Sequence, residues 1–194
     1  MRIALTGGIA CGKSLLSRYL NEAGVETLDA DDVVHLLESP GGDAANAVFS
    51  RFGTLERAEL AALCFGSGPE HDANRRDLES ILFPLVRERL MSWCDAGDAS
   101  VLRVAVVPLL FETGWDVDFD LIACIGSDPE NQIARMMERR GMSREAAEAR
   151  MLAQMPVEEK MSRSDYVVVN DGSEDELKRE AAKLADYLRE RAKE

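Results

Sequence analysis

Residues 7–14, Gly-Gly-Ile-Ala-Cys-Gly-Lys-Ser, constrain the fold more than any other stretch, because they satisfy G-x-x-x-x-G-K-[ST] between an apolar run and a helical period. A strand must lead in and a helix must lead out. The glycines let the backbone bend until successive N–H groups point inward, with the positive end of the next helix behind them, which makes a cradle for phosphate. In such a cradle Lys13 bridges β- and γ-phosphate oxygens and the Ser14 hydroxyl is offered to Mg²⁺. A plain glycine-rich turn into a buried helix needs neither side chain.

The rest of the chain extends that architecture. Candidate strands Arg2–Thr6, Val25–Asp29, Val101–Val107, Leu121–Gly126 and Tyr166–Asn170 alternate with helical stretches beginning near Lys13, Asp31, Asp43, Leu78, Pro129 and Glu174. This order of βαβ units predicts an α/β fold with a five-stranded, mostly parallel sheet and helices on both faces. At 194 residues, 46% apolar and 30% charged, the chain suits one domain over 1–194. Pro40-Gly41-Gly42 breaks the second helix, and Gly66-Ser67-Gly68-Pro69 marks a loop before a long helix around Leu78–Cys94; neither reads as an interdomain linker. From Ser173, the run S-E-D-E followed by Leu177, Ala181, Leu184 and Leu188 predicts a capped, amphipathic final helix.

Charge narrows the function. A net charge of −13 disfavours nonspecific binding to nucleic acid or anionic membrane. No apolar run approaches the roughly 18 residues of a membrane span, and MRIALTGG lacks a secretory apolar region, so a cytoplasmic location is expected. Cys11, Cys64, Cys94 and Cys124 form no CxxC pair, which predicts reduced thiols. A highly charged ligand is compatible with the acidic total, since charges beyond about 8 Å are largely screened at physiological salt. Local charge favours one: residues 135–163 hold seven Lys/Arg against five Glu.

The second strand ends in Asp29-Ala30-Asp31 with Asp32 following, and in a parallel sheet strand ends share the ligand crevice. A carboxylate there can hold a nucleophilic hydroxyl or a metal-bound water, or it can simply cap the next helix. An N-K-x-D base-reading motif is missing, which excludes a GTPase switch, and Val104–Val107 runs into Pro108 rather than the acidic strand end of a motor ATPase. A small-molecule kinase remains.

The chain resembles the dephospho-coenzyme A kinase family over nearly its whole length. The resemblance rests on I-A-L-T-G-G-I-x-x-G-K-S at 3–14, V-x-x-x-D-A-D at 25–31, P-G at 40–41 with F-G at 52–53, and V-V-P-L-L-F-E at 106–112. It continues with Q-x-x-R-x-x-x-R at 132–139, R-x-x-x-Q at 150–154 and D-Y-V-V-V-N-D-G at 165–172. Leu15 follows the lysine–serine pair where the family has Thr, Phe83-Pro84 replaces a His-Pro, the segment after Gly53 is shorter than usual, and Ser164 replaces a common Ala. The resemblance implies a nucleoside-kinase-like fold with a helical acceptor-binding insertion at 31–97 and a helical lid at 132–163. It further implies transfer of the ATP γ-phosphate to the ribose 3′-hydroxyl of dephospho-coenzyme A with Mg²⁺. A shikimate- or gluconate-type kinase and a non-catalytic ATP-binding regulatory module are the alternatives. A monomer is favoured.

Roles follow from charge. Gly8, Ala10, Cys11, Gly12, Lys13, Ser14 and Leu15 form the donor cradle, and Asp31 accepts a hydrogen bond from the attacking hydroxyl. Asp29 is either a metal partner beside Ser14 or a helix cap. Arg135 and Arg139, four apart on one helical face, close over the phosphates or form a solvated face. Leu109, Leu110 and Glu112 line the acceptor site, with Glu112 orienting a ribose or a lid arginine, or else are core. Asn170 and Gly172 contact adenine or form a plain turn. Met136, Met137, Met142, Met151 and Met155 pack flexibly under the lid.

Overall fold

Five parallel strands form the centre of the computed structural model, which describes residues 1–66, 68–96 and 101–193. The strands are β1 (Ile3–Gly7), β2 (Glu26–Asp29), β3 (Arg103–Val106), β4 (Leu121–Gly126) and β5 (Tyr166–Val169), in spatial order β2-β3-β1-β4-β5. All four pairings are parallel, with Leu5 in register with Val106 and Ala123, and Asp29 with Val106. β1 and β4 are buried along their whole length, as continuous apolar runs in a sheet covered on both faces must be. All five expected strands form, each within one residue of the expected ends except at the start of β3, which comes two residues later.

The chain divides into two compact units, Met1–Asp29 with Cys94–Glu194, and Ala30–Trp93. In the first, helices α1 (Lys13–Glu22) and α9 (Glu174–Arg191) pack with the sheet through Leu16, Leu20, Leu177, Leu184 and Leu188. The predicted cap of α9 is present as a capping box between Ser173 and Glu176. Three further helices, α6 (Pro129–Arg140), α7 (Arg144–Leu152) and α8 (Val157–Ser162), precede β5. The one helical stretch expected from Pro129 is broken twice. Gly141 ends α6 at φ 61°, Ser143 caps α7 by accepting from the Ala146 N–H, and Pro156 precedes α8. Met136 is buried with Ile133 and Ala147, and Met142 and Met151 pack against them, whereas Met137 is 42% exposed.

The second unit is helical: α2 (Ala30–Glu38), α3 (Ala45–Phe52), α4 (Arg57–Cys64) and most of α5 (Pro69–Asp95). Helix α4 was not expected, and α5 starts nine residues before the expected Leu78. Pro69 serves as its first residue, with Glu70 and Asp72 in the first turn, positions that favour a proline and acids. The run from Glu70 to Asp77 carries no apolar stripe, which hid the helix from periodicity. Ser67 of the expected 66–69 loop and Gly97 at the end of the expected insertion lie outside the described residues. Within the unit Arg51 joins Asp77 (2.7 Å) and Asn74 (2.9 Å), and Asn74 donates to the Leu63 carbonyl (3.1 Å). Among the described residues no helix is long and apolar enough to cross a membrane.

Candidate active site

The cradle leaves β1 at Gly7 and enters α1 at Lys13. At Gly12 φ is 100° and a would-be Cβ lies 2.5 Å from Asn170 Nδ2, so the position calls for glycine. Ala10 also lies in the left-handed region, at φ 57°, a strain of about 1 kcal/mol or more for a residue with a Cβ. Neighbouring side chains hold the loop there. Asn170 donates its amide to the Cys11 carbonyl (2.8 Å), and Arg135 donates to the Ala10 carbonyl (3.3 Å), the Asn170 carbonyl (2.7 Å) and Ser127 Oγ (3.1 Å). Ser127 donates to Asp171 (2.7 Å), and Gln132, 2% exposed, returns to the Ser127 carbonyl (2.8 Å). The Ser127 hydroxyl, Asn131 and the Asp128 N–H hold the Asp171 carboxyl below the usual carboxylate range.

Lys13 donates to the carbonyls of Gly7 (2.9 Å) and Gly8 (2.8 Å). Its stem keeps some surface open, but protein crowds its ammonium, and that desolvation lowers its pKa. The nearby Lys160 charge lowers it further, while Asp29 acts the other way. Ser14 is exposed in the first turn of α1. Cys11 is fully buried, and burial raises its thiol pKa; burial also pushes the Cys124 thiol up to about 12. All four cysteines are free thiols.

A cleft of about 100 Å³ opens beside the loop. Ala10, Gly12, Leu15, Arg135, Arg139, Asn170 and Gly172, all singled out from the sequence, line it together with Glu174. Arg139 is exposed while Arg135, one turn earlier on α6, is half-buried. Sequence reasoning missed Glu174, the first residue of α9. Its carboxylate takes hydrogen bonds from the Tyr19 hydroxyl and from Arg18 (2.9 Å), which hold its pKa down. A larger cavity of about 240 Å³ lies at Gly8 and Ile9, walled by Gln132, Met151, Met155 and Val157 among others.

Beyond β3, the Pro108 carbonyl accepts from the Thr6 hydroxyl of β1 (3.4 Å). Leu110 is fully buried and Leu109 half-buried, so Leu110 is a core residue. Among the described residues Glu112 pairs with a lysine: Oε1 lies 2.7 Å from Lys160 Nζ and accepts from the Met155 N–H (3.0 Å). Lys160 has no exposed surface and also donates to the Pro108 carbonyl (2.8 Å). The sequence reading counted Lys160 only as one positive charge in the lid. Its spacing from Val157 and Met161 puts it on the apolar face of α8, the signal that could have found it. Asp29 is half-buried at the end of β2, and Asp31 is exposed in the first turn of α2, in the other compact unit. Among the described residues no three His, Cys, Asp or Glu side chains group as a metal site.

Residues 1–176 match the dephospho-CoA kinase family. A dephospho-CoA kinase of Geobacillus kaustophilus (strain HTA426) is 36% identical over 190 residues, covering 93% of this chain and 92% of its relative. Among solved structures, TT1252 from Thermus thermophilus aligns with a TM-score of 0.79 at 32% identity over 97% of both chains. A dephospho-CoA kinase from Campylobacter jejuni shares the fold, with a TM-score of 0.65 at 22% identity over 96% of both chains.

Proposed function

The chain belongs to the dephospho-CoA kinase family, and on that premise we propose that it transfers the γ-phosphoryl group of ATP to the ribose 3′-hydroxyl of dephospho-coenzyme A, giving coenzyme A and ADP. The observation that carries the donor half of this reading is the loop itself: a glycine-shaped cradle at a helix start, with a lysine at its mouth and a cleft beside it.

Phosphoryl transfer asks for positioning and charge neutralisation more than covalent chemistry. The loop N–H groups and Lys13 bind the donor phosphates, and the low proton affinity of Lys13 leaves it able to gain from an anionic partner. The cleft takes the nucleoside. One Asn170 amide hydrogen is engaged with the Cys11 carbonyl, so base contact falls to the rest of that amide, to the backbone around Gly172 and to cleft side chains. Arg139 meets charge developing on the transferring group, while Arg135 holds the cradle. Asp31 accepts the proton of the attacking hydroxyl, and Leu109 and Glu112 border the acceptor.

Ser14 and Asp29 fit Mg²⁺, since that ion takes one or two protein oxygens and completes its shell with phosphates and water. Bound there, Mg²⁺ would neutralise charge on the β- and γ-phosphates. A coupled ADP-release assay with dephospho-coenzyme A, shikimate, gluconate and no acceptor tests the proposal. Release with dephospho-coenzyme A alone is expected; turnover of shikimate or gluconate, or none with any acceptor, would give the alternatives the better claim.

A further inference from the structure

We propose that Lys160 is a positioning residue for the acceptor side of the reaction: its buried ammonium, divided between Glu112 and the Pro108 carbonyl, sets the chain leaving β3 against α8. The proposal rests on the kinase reading above, in which that chain borders the acceptor.

Lys160 reaches from α8 into the space where β1 and β3 end, and both oxygens it meets, at 2.7 and 2.8 Å, come from the five residues 108–112. Glu112 closes a ring, because the same Oε1 accepts from the Met155 N–H at the α7–α8 connection. One turn further along the chain, Arg163 lies 4.2 Å over the Phe111 ring and 3.1 Å from Asp116. Two cations of this short stretch therefore grip one segment. Stability alone gives no reason for a lysine here, since apolar residues of similar volume commonly replace a buried ion pair without loss. Direction is what an apolar side chain would not supply. A carboxylate and a carbonyl at fixed distances orient the backbone of 108–112, and a methionine would only fill the volume. Thr6 of β1 donates its hydroxyl to the same Pro108 carbonyl (3.4 Å), so the segment that Lys160 sets leaves the sheet beside the strand that leads into the cradle.

The test uses the full chain with Lys160→Met, Glu112→Gln and the double variant, at saturating ATP with dephospho-coenzyme A varied, then the reverse. Lys160→Met should raise the acceptor KM about tenfold or more and change the ATP KM by less than about twofold, a split that general loss of folded protein does not produce. The double variant should be no worse than the poorer single one, because the two residues act through one contact. An unchanged acceptor KM in Lys160→Met, or single effects that multiply in the double variant, overturns the proposal. Amide exchange over Leu109–Thr113 supplies a readout that needs no turnover. Protection there should fall in Lys160→Met and in Glu112→Gln, and unchanged protection in both overturns the proposal even if one variant folds poorly. A wild-type chain that releases no ADP with dephospho-coenzyme A contradicts the kinase reading instead, and the exchange measurement still decides the role of Lys160.

Discussion

Arg135 and Arg139 stand one turn apart on α6, yet they belong to two different regions of the crevice. Arg135 lies in its floor, with Asn170, Gln132 and Lys160, where polar atoms are matched to protein oxygens at 2.7–3.3 Å. Arg139 lies on its rim and is exposed. The difference teaches what each cation is available for. A floor cation is held by carbonyls that would lose their partner if it left, a cost of about 1–3 kcal/mol for each buried group. A rim cation has little to give up when it turns toward an incoming phosphate. Sequence spacing treated the two arginines alike; their surroundings do not.

The sharpest way to break that contrast is Lys13→Ala, because Lys13 is held like a floor residue through Gly7 and Gly8 yet sits at the cradle mouth. Turnover should fall by about 10²–10³-fold, the usual cost of one lost donor to developing charge. The melting temperature should move little, since the two carbonyl contacts that are lost are offset by relief of the desolvated ammonium. A variant that keeps half its rate would place Lys13 wholly with the floor.

Arg135→Ala should act in the opposite sense. Three hydrogen bonds from a charged group disappear, two of them to the backbone carbonyls of Ala10 and Asn170. A loss of about 2–3 kcal/mol in unfolding free energy is expected from urea denaturation, with a raised ATP KM as the strained loop relaxes. Unchanged stability with a pure kcat defect would move Arg135 to the rim.

Much of this was legible in the residues. The motif at 7–14 and the alternation of apolar runs with helical periods placed all five strands, and seven of the residues singled out for the donor line one cleft. The unread parts share a physical cause. Helix α4 is only eight residues long with no side-chain cap, and the start of α5 is polar-rich and takes its end from Pro69 and first-turn acids, so neither is marked by a long apolar stripe. The breaks between α6, α7 and α8 depend on single caps, Gly141 and Ser143, and on Pro156, inside an otherwise helical composition. The division between floor and rim was out of reach, because it depends on which carbonyls fold back beside a given cation. The same holds for Glu112, whose partner is a lysine 48 positions further along rather than an arginine.

The smallest expected effect carries the most weight. Arg139→Ala and Arg139→Lys, each compared with wild type at saturating dephospho-coenzyme A, test whether a rim arginine acts on the transferring group. The account predicts that Arg139→Ala lowers kcat by about tenfold or more, exceeds any rise in the ATP KM, and leaves the melting temperature unchanged because the side chain is exposed. Arg139→Lys should recover only part of the rate, since an ammonium cannot make the forked contact of a guanidinium. Near-native kcat in both variants would contradict the account.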